Sequence, residues 1–200
     1  MIVSDELHPR LCSVFTQALT GAGQVLTAMV GRPIVLGDPE IGVRLYTEVP
    51  FLCGGPEVPV VAIYLAIGGE IKGHVVFFFD QIGAGYLLEA MLGAAADYPY
   101  DSLARSALEE VGNVVGSSVL NCLSDATGMA VMPSPPLLTM DMAGAILGTI
   151  AADLAADSDQ VLVIETCIAP AGTHQVQGYL LVLPDRASWD RIARELARRN

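Results

Sequence analysis

Ser106-Ala-Leu-Glu109-Glu110-Val-Gly-Asn113 begins a segment that ends at Pro136, with twenty-two residues between Asn113 and Pro136. On a helix with about 100° between successive residues, Glu110 and Asn113 lie one above the other on the same face. Ser106, Ser117 and Asn121 project within about 40 to 60° of Glu110, and most apolar residues fill the far side. The segment therefore predicts a long amphipathic helix over 102–124 that displays one polar stripe.

A helix at 9–31 matches this one when the chain is shifted by 93 residues. The apolar positions coincide, and Gly23 falls on Gly116. A shift of 105 residues matches 73–80 to 178–185, where each segment reads as a strand that leads into a helix. The two shifts differ by twelve (105 − 93), which places an insertion between Pro136 and Val161. We interpret the chain as an internal duplication with repeat halves at about 1–98 and 99–200.

Periodicity and turn residues predict the same order of elements in both halves. The predicted helices cover 9–30, 82–93, 102–124 and 187–199, and the predicted strands lie near 33–37, 43–49, 58–67, 72–79, 129–133, 136–142, 161–169 and 176–183. Segment 141–156 fits either a strand or a helix, Asp101 is a candidate helix cap, and Gly68-Gly69 suggests a hairpin. The predicted fold class is α+β: a single domain with an internal pseudo-twofold duplication, two long helices and a largely antiparallel sheet.

Composition indicates a well-packed globular protein. Hydrophobic residues make up 52% of the 200 residues and charged residues only 16%, which supports a sizeable core rather than disorder. The longest apolar runs, 60–67 and 143–152, are shorter than the ~18 to 20 residues that span a bilayer. The amino terminus also lacks the pattern of a secretion signal. We therefore expect a soluble cytoplasmic protein without membrane insertion.

Charge and the scattered cysteines argue against several kinds of partner. A net charge of −12 repels nucleic acid and anionic lipid, and the one basic cluster, near 186–199, is interpreted as a solvated helix face. The four cysteines and three histidines are too dispersed for a metal or redox motif, and we interpret the cysteines as buried thiols. We therefore expect no metal or cofactor of the chain's own.

The spacing from Ser106 through Glu110 and Asn113 to Pro136 resembles the motif of the CheC/CheX/FliY family of chemotaxis phosphatases. That motif is Asp or Ser, three residues, Glu, two residues, Asn, twenty-two residues and Pro, and all four positions match. The segments 141–147 and 161–166 also resemble that family, in its CheC branch more than in the shorter CheX branch. The resemblance covers most of the chain and implies the α+β fold described above.

The same resemblance implies a function. The expected activity is hydrolysis of the aspartyl phosphate of a CheY-like response regulator, which carries its own magnesium ion. Asn113 would orient the attacking water, and Glu110 would pair with the receiver's active-site lysine. Ser106 and Pro136 would shape the helix start and the loop that supports the stripe. Without the motif, Glu110 and Asn113 would be interpreted as a solvated helix face with no task.

The first helix does not repeat the motif. Ser13 matches Ser106, but Gln17 stands in place of Glu110, Thr20 in place of Asn113, and Val43 in place of Pro136. Gln17 supplies no negative charge, and Thr20 lacks the reach of a carboxamide. We therefore predict a single active face, with the first helix serving packing or a partner.

Two other functions stay open at this point. One is a non-catalytic binding module that docks on a receiver, on a component of the flagellar switch or on a CheD-type deamidase. The other is a structural protein or a small-molecule pocket on the same fold, for which the sequence offers no positive support.

Overall fold

A computed structural model of the chain describes residues 4, 6–94, 96, 98–154, 160–170 and 176–198. The first half runs through α1 (Leu7–Val30), β1 (Ile34–Leu36), β2 (Glu40–Leu45), α2 (Val49–Leu52), β3 (Pro59–Gly69), β4 (Gly73–Asp80) and α3 (Gln81–Leu92). The second half runs through α4 (Ser102–Thr127), β5 (Val131–Pro133), β6 (Leu137–Met142), α5 (Ala143–Leu154), β7 (Gln160–Pro170), β8 (Val176–Pro184) and α6 (Arg186–Arg198).

The eight strands form one antiparallel sheet with a symmetric order. The strands follow β1-β7-β8-β4-β3-β5, with β2 also paired to β7 and β6 also paired to β3. Exchanging β1 with β5, β3 with β7 and β4 with β8 converts this order into its own reverse. Each half therefore extends its own hairpin with the first two strands of the other half, as a pseudo-twofold duplication requires.

Two apolar layers cover the sheet. Alternate strand residues such as Ile63 and Phe77 pack against α1, α3, α4 and α6 in the larger core. The intervening residues, such as Ala62 and Phe78, pack with Val49 of α2 and Leu147 of α5 in a smaller core on the other face. Because both faces are covered, the central strands carry nearly continuous apolar runs. The predicted α+β fold class is confirmed.

Helix α4 has a defined start and end. The Asp101 carboxylate accepts a hydrogen bond from the Ala104 amide at 2.8 Å, as predicted for a helix cap. Gly128 ends the helix in the left-handed region at φ 72°, where glycine pays no steric penalty. Helix α1 packs alongside, and the Ser118 hydroxyl donates to the Ala18 carbonyl at 2.7 Å. These contacts fix α4 at both ends and along one side.

Two glycines let α4 approach β3 closely. A Cβ on Gly112 would lie 2.2 Å from Cγ2 and 2.8 Å from Cβ of Ile63, and a Cβ on Gly116 would lie 3.0 Å from Cδ1 of Leu65. Gly112 and Gly116 are both buried. Their place beside the polar stripe is therefore explained by core packing rather than by a partner.

We expect Gly112→Ala to lower the free energy of unfolding by about 1 to 3 kcal/mol, the usual cost of an overpacked core. The new Cβ at position 112 would clash with the Cβ of Ile63, which rotation of the Ile63 side chain cannot move. The helix must therefore move away from the sheet. Urea denaturation of Gly112→Ala and Gly85→Ala measures the effect, since a Cβ on Gly85 of α3 meets nothing within 4 Å. Equal stability of the two variants would contradict the close packing of α4 on β3.

Two segments differ from the sequence prediction. The strand predicted near 43–49 is wrong in extent, because β2 covers Glu40–Leu45 and α2 begins at Val49. Pro50 explains the change, since it lacks the amide hydrogen that a paired strand needs but is tolerated in the first helical turn. The ambiguous segment 141–156 ends β6 at Met142 and then forms α5, and its residues 155 and 156 lie outside the described chain.

A longer helix accounts for part of the insertion predicted between Pro136 and Val161. Helix α2 has 4 residues, whereas α5, at the equivalent place in the second half, has 12. The division of the chain into halves at about residue 98 stays a prediction. None of the helices in the described part of the chain is both long and apolar enough to cross a lipid bilayer.

Candidate active site

The polar stripe of α4 lies on the helix face that points away from the sheet. Ser106 and Glu110 are exposed, and Asn113 and Ser117 are half-buried. The intervening residues Val111 and Val115 are completely buried. The pattern places Glu110 and Asn113 on one face, about 4.5 Å apart along the helix axis.

Asn113 is held by its neighbour one turn further along the helix. The Ser117 hydroxyl donates to the Asn113 side-chain oxygen across 3.4 Å, a long hydrogen bond. This contact restricts the amide while leaving its NH2 group able to donate. It also leaves the oxygen with a second lone pair. The Asn113 side chain can therefore accept a hydrogen bond from a water through its oxygen and donate one through its NH2 group.

The Glu110 side chain is exposed on α4. Among the described residues it takes part in no ion pair or hydrogen bond. The nearest arginine in sequence on this helix, Arg105, is half-buried and donates to the Leu138 carbonyl at 3.5 Å. The Glu110 carboxylate is therefore free to pair with a cation from another molecule.

Pro136 lies in the loop between β5 and β6. Ser134 ties this loop to β3 by two hydrogen bonds of 2.9 Å, one from its amide to the Ala66 carbonyl and one from the Ala66 amide to its hydroxyl. Leu137 pairs with Tyr64, so Pro136 lies between these two fixed points. Because Leu65 lies beneath Gly116, the loop runs at the level of the stripe.

Ser106 lies in the second turn of α4, since the helix begins at Ser102. The helix start is capped by Asp101, so the expected contribution of Ser106 to that start has no support from the contacts. Its side chain is exposed on the same face as Glu110. Ser106 therefore forms part of the displayed surface rather than part of the cap.

The thiols differ from the sequence prediction, because all four cysteines are half-buried rather than fully buried. Burial, with a smaller effect from Asp125, raises the pKa of Cys122, the cysteine on α4. Burial, with a smaller effect from Asp80, raises the pKa of Cys53 to about 12. Neither thiol is activated as a nucleophile at neutral pH.

The part of the chain that the structure describes contains no group of three or more potential metal ligands among His, Cys, Asp and Glu. The polar side chains on the stripe are a carboxylate, amides and hydroxyls. They can position a water and bind a cation, but they carry no activated nucleophile.

The degenerate motif on α1 is also displayed. Ser13, Gln17 and Thr20 are exposed on that helix, whereas Val43 is half-buried in β2. Both long helices therefore show a polar face to solvent, but only α4 carries the acid and the amide.

Sequence reasoning gave no role to two residues of the α4 stripe. Ser117 was placed on the stripe by periodicity, but its bond to Asn113 depends on the side-chain geometry. Leu103 is an apolar residue on the same face, and the structure leaves 62% of it exposed. Its seven-residue spacing from Glu110 was the signal that could have drawn attention to it.

Known proteins resemble this chain in sequence and in fold. No family model matches the chain. The chain is similar to the CheY-P phosphatase CheC of Bacillus subtilis (strain 168), at 28% identity over 180 residues, which cover 86% of each protein. The resemblance inferred from the motif is thereby confirmed.

Two solved structures share the fold. FliY of Thermotoga maritima superposes with a TM-score of 0.81 at 16% identity, covering 100% of both chains. FliM in a FliG–FliM complex from H. pylori gives a TM-score of 0.68 at 11% identity, covering 96% of this chain and 100% of that one. At these identities the structural matches establish the fold alone.

Proposed function

We propose that this chain, as a CheC-like relative within the CheC/CheX/FliY family, is a phosphatase. Its substrate would be the aspartyl phosphate of a CheY-like response regulator. The observation that carries the proposal is the joint display of Glu110 and Asn113 on one face of α4. Both side chains reach solvent from a helix that is packed against the sheet along its other side. A rigid support of this kind is what positional catalysis requires.

In this proposal, Asn113 orients the attacking water. In hydrolysis, the water oxygen attacks phosphorus in line with the bond to the aspartate, and that bond breaks to give a carboxylate and inorganic phosphate. A neutral amide can hold this water without titrating and without repelling the phosphoryl oxygens. Positioning of the attacking water supplies much of the rate in phosphoryl transfer, since the phosphoryl group needs little covalent assistance.

In this proposal, Glu110 pairs with the receiver's active-site lysine. A carboxylate with no ion pair in the described chain gains a charge-assisted contact when it meets an ammonium group in a partly dehydrated cleft. This contact would orient the receiver so that Asn113, one turn further along, meets the phosphoryl group. Glu110 is thus an anchor rather than a base.

The remaining parts of the reaction belong to the receiver. The receiver carries the phosphoryl group and holds the magnesium ion that neutralises charge on it, so this chain needs no cofactor of its own. Such a partner places the proposed activity in the cytoplasm. Ser106 and Pro136 would border the contact surface, the first beside Glu110 and the second on the fixed β5–β6 loop.

The proposal is tested with a cognate receiver charged by a small phosphodonor in the presence of magnesium. Added chain should shorten the lifetime of the receiver's phosphate and release inorganic phosphate in proportion. The receiver alone, at the same magnesium concentration, provides the baseline. A lifetime that the chain leaves unchanged would refute the proposed phosphatase.

We expect Ser117→Ala to lower kcat by about 2- to 5-fold with KM unchanged. The reason is the loss of one long hydrogen bond that restrains the amide of Asn113, with a net strength of about 0.5 to 1 kcal/mol in the lower part of the usual range. Steady-state phosphate release at varied receiver concentration separates kcat from KM. A rise in KM alone would indicate that Ser117 contacts the receiver instead.

A second candidate is a binding module that docks on a receiver, a flagellar switch component or a CheD-type deamidase without hydrolysis. The fold is shared by FliM of H. pylori, which was solved in a complex with FliG. The exposed α1 face with Gln17 and Thr20 suits such a role, because it offers hydrogen bonds but neither the acid nor the motif amide. A stable complex with a charged receiver and no phosphate release would favour this candidate.

A further inference from the structure

An exposed leucine extends the proposed contact surface toward the start of α4. Leu103 is 62% exposed, although it belongs to a helix whose other apolar residues are mostly buried. It precedes Ser106 by three residues and Glu110 by seven, which places it within about 20° of Glu110 and about 10.5 Å from it along the axis. Leu103 therefore lies on the face that carries the motif.

Leu103, Ser106, Glu110, Asn113 and Ser117 are separated by three, four, three and four residues. This is the spacing of a seam along which one helix packs against another surface. A single exposed leucine is ordinary on a protein surface, but this one occupies the next position of a stripe already argued to meet a partner. Continuity with that stripe is the reason to assign it a contact.

Tyr98 provides a second apolar group next to the start of the same helix. Tyr98 is 55% exposed, and its ring packs edge-on against Tyr100 with centroids 5.8 Å apart. Tyr100 is buried, and its hydroxyl donates to the Gln81 carbonyl of α3 at 3.3 Å. Because Tyr100 directly precedes the cap Asp101, Tyr98 is held close to the first turn of α4.

We infer that Leu103 and Tyr98, here named the amino-terminal patch, form an apolar contact with the receiver and set the affinity of the complex. The inference rests on the proposed function, since the partner is the same receiver. The receiver would present an apolar residue roughly 10 Å from the lysine that meets Glu110, a distance set by two helical turns. The amino-terminal patch thus consists of positioning residues that touch neither the phosphoryl group nor the water.

The test uses the full chain with four substitutions. Leu103→Ser and Tyr98→Ser remove the apolar contacts, and Leu103→Met restores apolar volume at the same place. Met132→Ser is the matched control, because Met132 is 66% exposed but follows the opposite end of α4. All three positions are exposed, and thermal unfolding of each variant checks that the fold is kept.

The first readout is binding to a receiver charged with beryllofluoride in magnesium, which mimics the phosphorylated state without turnover. We expect Leu103→Ser to weaken binding about tenfold, as expected when much of a leucine side chain is no longer buried. Tyr98→Ser should weaken it by a smaller factor, whereas Leu103→Met and Met132→Ser should stay within about twofold of the unmodified chain, the range of near-neutral surface changes. Equal affinity of Leu103→Ser and Met132→Ser would overturn the inference.

The second readout is phosphate release from the phosphorylated receiver. Leu103→Ser should raise KM by the same factor as Kd and leave kcat within about twofold, since no transition-state contact is removed. A fall in kcat without a change in KM would also overturn the inference. If the unmodified chain binds the charged receiver but releases no phosphate, the proposed phosphatase fails, while the loss of affinity in Leu103→Ser still supports the amino-terminal patch.

Discussion

Asn113→Ala is expected to lower kcat for receiver dephosphorylation by about 100-fold or more while leaving KM nearly unchanged. The substitution removes the amide that orients the attacking water, and misplacement by about 1 Å can cost a reaction about 10²-fold. The amide is half-buried on a helix that is tightly packed against β3, which fixes its position. Phosphate release at saturating receiver measures the change.

Asn121→Ala is the matched control for Asn113→Ala. Asn121 is an exposed amide on the same face of α4, about two turns further toward the carboxyl end. It lies beyond the reach of a phosphoryl group held at Asn113, so its removal should leave kcat within about twofold. Equal losses in the two variants would mean that the stripe acts through general surface properties and that Asn113 does not hold the water.

Glu110→Gln is expected to raise KM about 10- to 100-fold with a smaller effect on kcat. A charge-assisted hydrogen bond contributes about 1.5 to 3 kcal/mol, and its loss converts to that range of affinity. Glutamine keeps the shape and the hydrogen-bonding reach of Glu110 but lacks the charge that pairs with the receiver's lysine. The variant should also lose most of the salt dependence of binding, because screening acts on the charged pair.

Glu109→Gln controls for the change in net charge. Glu109 neighbours Glu110 but points about 100° away around the helix, and it is half-buried rather than exposed. Binding measured at low and high salt should distinguish the two variants. If Glu109→Gln and Glu110→Gln raised KM equally, the anchor would be the general negative charge of the helix and not the Glu110 carboxylate.

Much of the fold could be predicted from the sequence because periodicity and turn chemistry agree along most of the chain. The strand pair around Gly68-Gly69 and the cap at Asp101 follow from local rules, and both occur as predicted. The strand prediction near Pro50 is wrong because the β-branched and aromatic residues there favour a strand, whereas Pro50 disfavours strand pairing and the short helix packs against α5. At such places tertiary contacts outweigh the local preference for a strand.

The site was predictable to a different degree. Spacing alone put Glu110 and Asn113 on one face, since a helix repeats every 3.6 residues. Spacing alone does not show whether Gly112 makes room for a partner or for the core of the chain itself. The close approach of Ile63 shows that the reason is core packing. The hydrogen bond from Ser117 and the exposure of Leu103 likewise depend on how α4 is rotated against the sheet.

The most direct test of the central claim is a turnover experiment with a large excess of phosphorylated receiver over chain. The account predicts that each molecule of chain releases many molecules of inorganic phosphate, and that Asn113→Ala binds the receiver but releases phosphate no faster than the receiver does alone. Release that stops at one phosphate per chain, or full turnover by Asn113→Ala, would contradict the claim that Glu110 and Asn113 form a catalytic surface.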